Sequence, residues 1–547
     1  MKELNKVVKD ILRSRGITLE EDVEEYLSPR PQRTYDPFLM KGMAEAVEMI
    51  TSAAEKKQRV CIYGDYDCDG VTSVTLLLYA FSQFMDRERI SYFIPSRFTD
   101  GYGLSMDTVK RVADMGTDLM ITVDCGCSSA DEVAYAKKLG MQVIVTDHHI
   151  VPERTPDCVM LDPKQEGCGY PFKGLCGCGV AYKLTQALQR TLGFDRSVIL
   201  DSLDIVGTAT IGDIVPLVDE NRTLAKYGID RIRKTKRPGL SALLGAISMK
   251  QETVTSMNVA FGIVPNINAN GRMKRADIGV SLLSSSDEAE AFELARETAS
   301  NNTERKRLQD AAFKECIALA EVQCPGSLFP IIHADVHEGV AGIVAGKLKE
   351  EFSRPVVIVT DNDGKLKGTG RSVDGIDIHA VLSTCADLFE KFGGHQGACG
   401  FTMRADALEE LRERAGKEME RLAASDPELF SQEVRYDAEI DVRDISIDLA
   451  DTLSLMEPFG KDNEQPVFMV RGVKIFGGRI IGNGTHIRFS IGEPPGIGCV
   501  AFGKAAEYGD LIFAGGPADV VGTIEINEWN GRRSVQMNVK SMAPHRG

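Results

Sequence analysis

The chain has 547 residues, which at roughly 150 per domain calls for about three or four domains and excludes a single small module. Its 43% hydrophobic, 26% charged and 7% aromatic residues exclude a disordered, collagenous or coiled-coil protein. Lys and Arg total 64 against 80 Asp and Glu, a net charge of −16; bulk coating of nucleic acid is excluded, and a nucleic-acid partner has to be held by a local basic groove.

Residues 1–50 read as an N-terminal helical segment. The opening MKELNKVVKDILRSRG mixes charge into every turn, unlike a signal peptide, and no later stretch approaches the ~20 apolar residues of a membrane span. The 13 cysteines are odd in number and scattered, as reduced thiols are, so a cytoplasmic location without a membrane partner is expected. Cys125-x-Cys127 and Cys176-x-Cys178 are spaced more tightly than structural zinc pairs, and zinc is not expected there.

Residues 51–220 read as a first α/β lobe. Three apolar runs end in polar clusters: Arg59 to Tyr63 leads into Gly64-Asp65, Leu119 to Val123 into Asp124, and Met141 to Thr146 into Asp147-His148-His149. Runs with so little alternation fit central parallel strands, and open parallel sheets place ligands at the carboxyl ends of their strands. Residues 221–325 read as helical. RTLAKYGIDRIRKTKR, 222–237, carries seven basic residues and one acidic, and its alternative to a binding patch is a solvated helix face. Asp287 to Cys324 lacks Gly and Pro over 38 residues; Ser285-x-x-Glu288 matches a capping box. The spacing predicts a long helix bridging two lobes, with one break at Asn301-Asn302. A second α/β lobe is expected over 326–425, where Gly342, Ala345 and Gly346 would let a helix approach its neighbour closely. Residues 430–547 turn to short alternating runs, a small β-barrel with a hairpin at Asn530-Gly531.

The chemistry concentrates in GDYDCDG. Asp65, Asp67 and Asp69 alternate at a strand end, and three like charges there need a counter-ion to stay ionised. D-x-D-x-D-G also opens an EF-hand, but position 76 is Leu76 where that loop requires Glu, and a strand precedes it. Asp124 alone would be an ordinary strand-end carboxylate. His148 and His149 add neutral nitrogen ligands beside hard oxygens, a mixture that suits manganese or magnesium. Asp213, in TIGDIVPL, is a further carboxylate source.

GDYDCDG, the VDCG at Asp124, TDHH and IGDIVPL resemble the four motifs of the DHH phosphoesterase superfamily. SRFTDGYGL, NANGRM, GTGRS, GGHQGACG and NEWNG, in that order, further resemble the RecJ family of single-strand-specific DNA exonucleases, over nearly the whole chain. The resemblance implies a DHH catalytic lobe, a bridging helix, a DHH-associated substrate lobe and an OB-like barrel. It implies a 5′→3′ exonuclease on single-stranded DNA in recombination and repair, using two divalent cations, Mn or Mg, in a two-metal mechanism. Carried over motif by motif, Asp67, Asp69, Asp124, His148 and Asp213 ligate metal, while Asp65 and His149 are ligands, orienters or phosphate contacts.

Arginines in Gly-rich turns suit a terminal phosphate, and the resemblance places Thr369 and Arg371 there, with Ser372 of the same GTGRS motif and Arg97 and Arg272 as further candidates. His395, otherwise a turn histidine, falls in the family's glycine-rich substrate motif. Trp529, the only tryptophan, is either a base-stacking platform or a structural anchor. A helicase and a single-strand-binding protein join single-stranded DNA as partner candidates. The chain departs from the family where it usually has an arginine before NANGRM, here Val264-Pro265-Asn266, and a tryptophan and proline near His337-Glu338. Ending at Gly547, it is expected to lack the further C-terminal domain of some relatives. The alternative reading keeps the metals and makes the substrate short oligonucleotides or cyclic dinucleotides.

Overall fold

The computed structural model describes residues 5–362, 364–426, 428–430, 434–529 and 531–546, without the Trp529 side chain. The three apolar runs of the first lobe become β1 (Val60–Gly64), β3 (Leu119–Val123) and β4 (Gln142–Thr146), flanked by β2 (Ile90–Phe93) and β5 (Val159–Leu161). They form a fully parallel sheet of order β2-β1-β3-β4-β5. Every residue of β1 and β3 is buried, because helices such as Met43–Glu55, Cys68–Phe81 and Gly177–Leu192 cover the sheet. Strand-end polar groups therefore emerge along one edge.

The basic stretch 222–237 is only partly a solvated face: Lys234 and Lys236 are exposed, whereas its arginines are drawn inward. The buried Arg222 donates to the Tyr26 carbonyl at 2.8 Å and to that of Met456 at 2.9 Å. Arg233 donates to the Val254 carbonyl at 2.8 Å, and Arg237 to Asp204 at 3.2 Å. Fixed carbonyls and buried carboxylates take up these cations, tying the first lobe to the N-terminal helices and to the segment before the barrel.

The bridging helix runs unbroken from Glu288 to Gln323, 36 residues and roughly 54 Å at ~1.5 Å per residue. Its N-cap is Asp287, whose side chain accepts the Glu290 amide, in place of the expected Ser285. No break occurs at Asn301-Asn302, because both side chains bond away from the helix backbone and do not compete with it. Asn301 donates to Asn270 Oδ1 at 2.9 Å, and Asn302 accepts from Arg305 at 2.9 Å.

The second lobe holds β6 (Ile331–His333), β7 (Val356–Asn362), β8 (Lys365–Arg371), β9 (Phe389–His395) and β10 (Ala398–Arg404), in the order β6-β7-β8-β10-β9. β6 and β7 are parallel and the rest antiparallel. GTGRS, read as a Gly-rich turn, is mostly strand, since β8 pairs along its length with both β7 and β10. NANGRM likewise lies in the helix Val264–Met273.

β11 (Ala438–Glu439), β12 (Val467–Ile481), β13 (His486–Ile491), β14 (Ile497–Ala501), β15 (Pro517–Trp529) and β16 (Arg532–Pro544) make the third sheet. β12 pairs with both β13 and β15, which closes a barrel. β15 and β16 pair down to Trp529 opposite Arg532, leaving two residues for the turn; Asn530 lies outside the described residues. Val8, Ile11, Leu12 and Leu27 from the first two helices complete this barrel's core, whereas Met43, Val47 and Ile50 pack into the first lobe. Among the described residues no helix is long and apolar enough to cross a membrane.

Candidate metal centre and substrate groove

The chain leaves β1 at Asp65 and turns into the helix Cys68–Phe81, whose N-cap is Asp67; its carboxylate accepts the Asp69 and Gly70 amides at 2.9 and 3.1 Å. Asp69, in the first turn of that helix and buried, accepts the Gly177 and Cys178 amides at 2.6 and 2.9 Å. These amides open the helix Gly177–Leu192, where an anion is favoured. Asp124 follows β3 with a φ of +61°, an uncommon backbone for a residue other than glycine. Only glycine fits beside it, because a Cβ on Gly177 would lie 2.6 Å from that of Asp124.

His148 Nε2 lies 3.1 Å from Asp124, 3.6 Å from Asp213 and 3.8 Å from Asp69. Ligand atoms of Asp69, His148 and Asp213 fall within 4.8 Å of one another, as do those of Asp65, Asp67 and Asp124, and of Asp124, His148 and His149. All seven expected metal-site residues thus meet in adjoining groups. Burial, then the neighbouring carboxylates, pushes Asp65 to about 8, Asp69 to about 6 and Asp213 to about 9, and raises Asp124 well above the carboxylate range. Burial, then His149, holds His148 at about 3, so its imidazole is neutral at neutral pH and keeps a lone pair to donate.

Arg97 stacks 4.1 Å over the Tyr66 ring, and its Nε is buried without a partner among the described residues, which suits a group that binds an anion. Arg272 closes its helix and donates to the Gly339 carbonyl at 3.2 Å. Burial, then the charges of Arg97 and Arg305, lowers it to about 10. Thr369 and Arg371 lie two apart on β8 and share its face, toward the helix Glu338–Phe352. Gly342 makes room: a Cβ there would lie 2.8 Å from Arg371 Nη2, whereas Gly346 has nothing near it. The glycine expected to serve helix packing therefore serves an arginine.

Ser372, expected beside Arg371 at the substrate, donates its hydroxyl to the Ile376 carbonyl at 2.7 Å and is buried. Its position just past the strand end, where the chain turns, directs it into the loop. His395 is exposed at the β9–β10 turn and accepts the Gly397 amide at 3.1 Å. It lies two strands from Arg371, since Ala398 pairs with both. The expectation for Trp529 concerns a side chain outside the described residues. At the departures from the family pattern, Asn266 is buried and donates to the Gly262 carbonyl at 2.7 Å, and Glu338 pairs with Lys367.

Residues 59–210 match the DHH family, N-terminal domain; 319–421 match the DHHA1 domain, and 436–541 the RecJ OB domain. The single-stranded-DNA-specific exonuclease RecJ of Bacillus subtilis is 36% identical, over 98% of this chain and 68% of its own. The chain belongs to the RecJ family. The Escherichia coli RecJ is 32% identical, over 99% of this chain and 96% of its own. RecJ from Thermus thermophilus, solved with Mn2+, aligns with a TM-score of 0.83 at 28% identity, covering 100% of this chain and 77% of that one. The same protein solved with Mg2+ aligns at 0.78 and 27%, covering 100% and 76%.

The residues of this RecJ family member fit divalent cations. Hard carboxylate oxygens and neutral imidazole are the donor set such ions take. Asp65 Oδ1 is buried with no hydrogen-bond partner among the described residues, a state a cation relieves.

Asp147, at the head of Asp-His-His, was not singled out from the sequence as a site residue. Its Oδ1 lies 2.7 Å from His149 Nδ1, and its Oδ2 accepts the Cys127 amide at 2.9 Å. Burial would raise Asp147, but His149 and the Cys127 amide hold it below the usual carboxylate range. Its place at the end of β4, beside Asp124 at the end of β3, was the available signal. Tyr66 and Tyr102, whose hydroxyl lies 3.3 Å from His149 Nε2, were also missed although they stand inside GDYDCDG and SRFTDGYGL; Arg305, in the middle of the long helix, has no such local signal.

Proposed function

We propose that this chain is a metal-dependent exonuclease that removes nucleotides from the 5′ end of single-stranded DNA, in recombination and repair. The observation that carries this reading is the meeting of Asp65, Asp67, Asp69, Asp124, His148 and Asp213, from separate strand and helix ends, within a few ångströms of one another. In this reading Asp67, Asp69, Asp124, His148 and Asp213 hold two divalent cations, Mn or Mg, and Asp65 and His149 complete or orient the set. When bound, such cations neutralise phosphoryl oxygens and acidify water near neutral pH.

The chain's own residues do the rest. Asp147 Oδ1 accepts a hydrogen bond from His149 Nδ1 and so turns Nε2 toward the cluster. Two helix-terminal amides fix the Asp69 carboxylate. Arg97, Arg272, Thr369 and Arg371 bind phosphate oxygens through charge-assisted bonds and set the register of the strand end. The RecJ OB domain match and the substrate named for the relatives support single strands held by a charged groove and stacking. A helicase that exposes the strand and a single-strand-binding protein are the protein partners this activity calls for. The 13 free thiols support a reducing, cytoplasmic setting.

The test is incubation with Mn2+ and end-labelled single-stranded DNA, duplex DNA, short RNA and a cyclic dinucleotide. Release of nucleotides from the 5′ end of single-stranded DNA is expected. Release from the 3′ end, equal use of duplex, or a preference for the cyclic dinucleotide overturns the reading.

A further inference from the structure

The carboxyl edge of the first sheet carries a second row of donors. Cys127 follows β3, Asp147 follows β4 and Asp162 follows β5, so this row is shifted one strand from the metal centre over β1, β3 and β4. One ligand atom from each lies within 4.8 Å of the others. The residues are buried, with exposures of 3% for Cys127, 1% for Asp147 and 0% for Asp162.

Their hydrogen bonding leaves donor capacity unused. Asp162 Oδ1 accepts the Lys164 amide at 2.7 Å, while Oδ2 is buried with no partner among the described residues, a costly state for a carboxylate. Asp147 Oδ2 accepts the Cys127 amide, and the Cys127 thiol is a further donor to the same carboxylate, a proton that a bound cation would replace. Cys127 Sγ makes a long contact, 3.9 Å, to the Ile150 carbonyl. The neighbouring Lys164 ammonium donates to the His148 carbonyl.

We propose that Cys127, Asp147 and Asp162 form a third cation site, separate from the catalytic pair, which takes one thiophilic divalent ion of the Zn2+, Fe2+ or Co2+ class. Sulfur decides the class. A thiolate beside carboxylates suits borderline ions, whereas Mg2+ and Ca2+ take oxygen. A separation under 4.8 Å is spanned by one ion at bond lengths of ~2.0–2.3 Å after small side-chain shifts. The ion displaces the Cys127 thiol proton into solvent. The site touches the metal centre through one residue: Asp147 binds the ion by Oδ2 and His149 by Oδ1, so occupancy holds His149 in place. A second thiol is not needed, which is why C-x-C spacing does not reveal the site.

The test uses the full chain with Co2+ as probe, in saturating Mg2+. The catalytic donors contain no sulfur, so a thiolate-to-cobalt charge-transfer band reports the third site alone. One equivalent per chain is expected. Cys127→Ser should abolish the band, Cys125→Ser and Cys176→Ser should keep it, and Asp162→Asn, nearly isosteric, should weaken Co2+ binding at least ~10-fold. No band in the wild type, an equal band in Cys127→Ser, or unchanged Co2+ affinity in Asp162→Asn overturns the proposal. The Asp162→Asn arm decides the question if Cys127→Ser does not fold.

Discussion

The two α/β lobes place polar groups in opposite ways. In the first, every strand is parallel, so each ends on the same edge, and Asp65, Asp124, Asp147 and Asp162 accumulate there until their mutual repulsion requires cations. In the second, β8, β9 and β10 are antiparallel, so chain ends alternate, and among the described residues no metal-ligand cluster lies there. What that lobe offers is a face, with Thr369 and Arg371 side by side and His395 two strands away. A parallel edge gathers ligand groups at one place; an antiparallel sheet spreads them over a face.

That contrast is open to test. The largest effect is expected at the parallel edge: Asp67→Ala or His148→Ala should reduce Mn2+-dependent hydrolysis by on the order of 10³-fold, several kcal/mol of transition-state stabilisation, with DNA binding largely intact. Cleavage near the wild-type rate in either variant removes the residue from the metal set. Next is Asp147→Asn, which keeps the shape but loses the charge facing His149. A loss of about 10–100-fold in metal affinity or activity is expected, measured as the Mn2+ concentration for half-maximal rate.

At the face of the second lobe the effect should be smaller and of another kind. Arg371→Ala should raise KM for 5′-phosphorylated strands about 10-fold, the worth of one charge-assisted bond, and leave kcat nearly unchanged. If wild-type enzyme uses 5′-phosphate and 5′-hydroxyl ends alike, Arg371 has no such role. The smallest effect is thermal. Without cations, burial and the neighbouring carboxylates hold Asp65 at about 8 and Asp213 at about 9, above the ~3.9 of an unfolded aspartate. The native state therefore retains protons that the unfolded chain releases. This contribution to stability is present below about pH 4 and is lost as pH rises toward about 9. Chelated protein should melt lower at about pH 8.5 than at about pH 6, and Mn2+ should narrow the gap; a melting temperature that rises with pH in chelator contradicts it.

Much of the first lobe was legible because strand ends carry their own signal. The apolar runs into Asp65, Asp124 and Asp147 mark both the strands and the edge on which they finish. The second lobe was harder to read, because glycines that look like turns can equally line a strand beside a bulky neighbour, as in β8. The basic stretch 222–237 misled for a related reason: charge in a sequence does not say whether a guanidinium meets water or a buried carbonyl, and Arg222 meets Tyr26, Leu455 and Met456. Asn301-Asn302 looked like a helix break because asparagine competes for backbone bonds in isolation, and here tertiary partners remove the competition.

The sequence by itself determined the α/β class, the long helix, the barrel and which carboxylates and imidazoles stand at strand ends, since these rest on periodicity and on motifs within a few residues of one another. Only the tertiary structure decided that His148 sits among Asp69, Asp124 and Asp213, that Asp147 steers His149, that Ser372 turns away from Arg371, and that Cys127 and Asp162 converge. Each of those depends on distances between segments far apart in the chain. Sheet order and burial set such distances, and no local pattern encodes them.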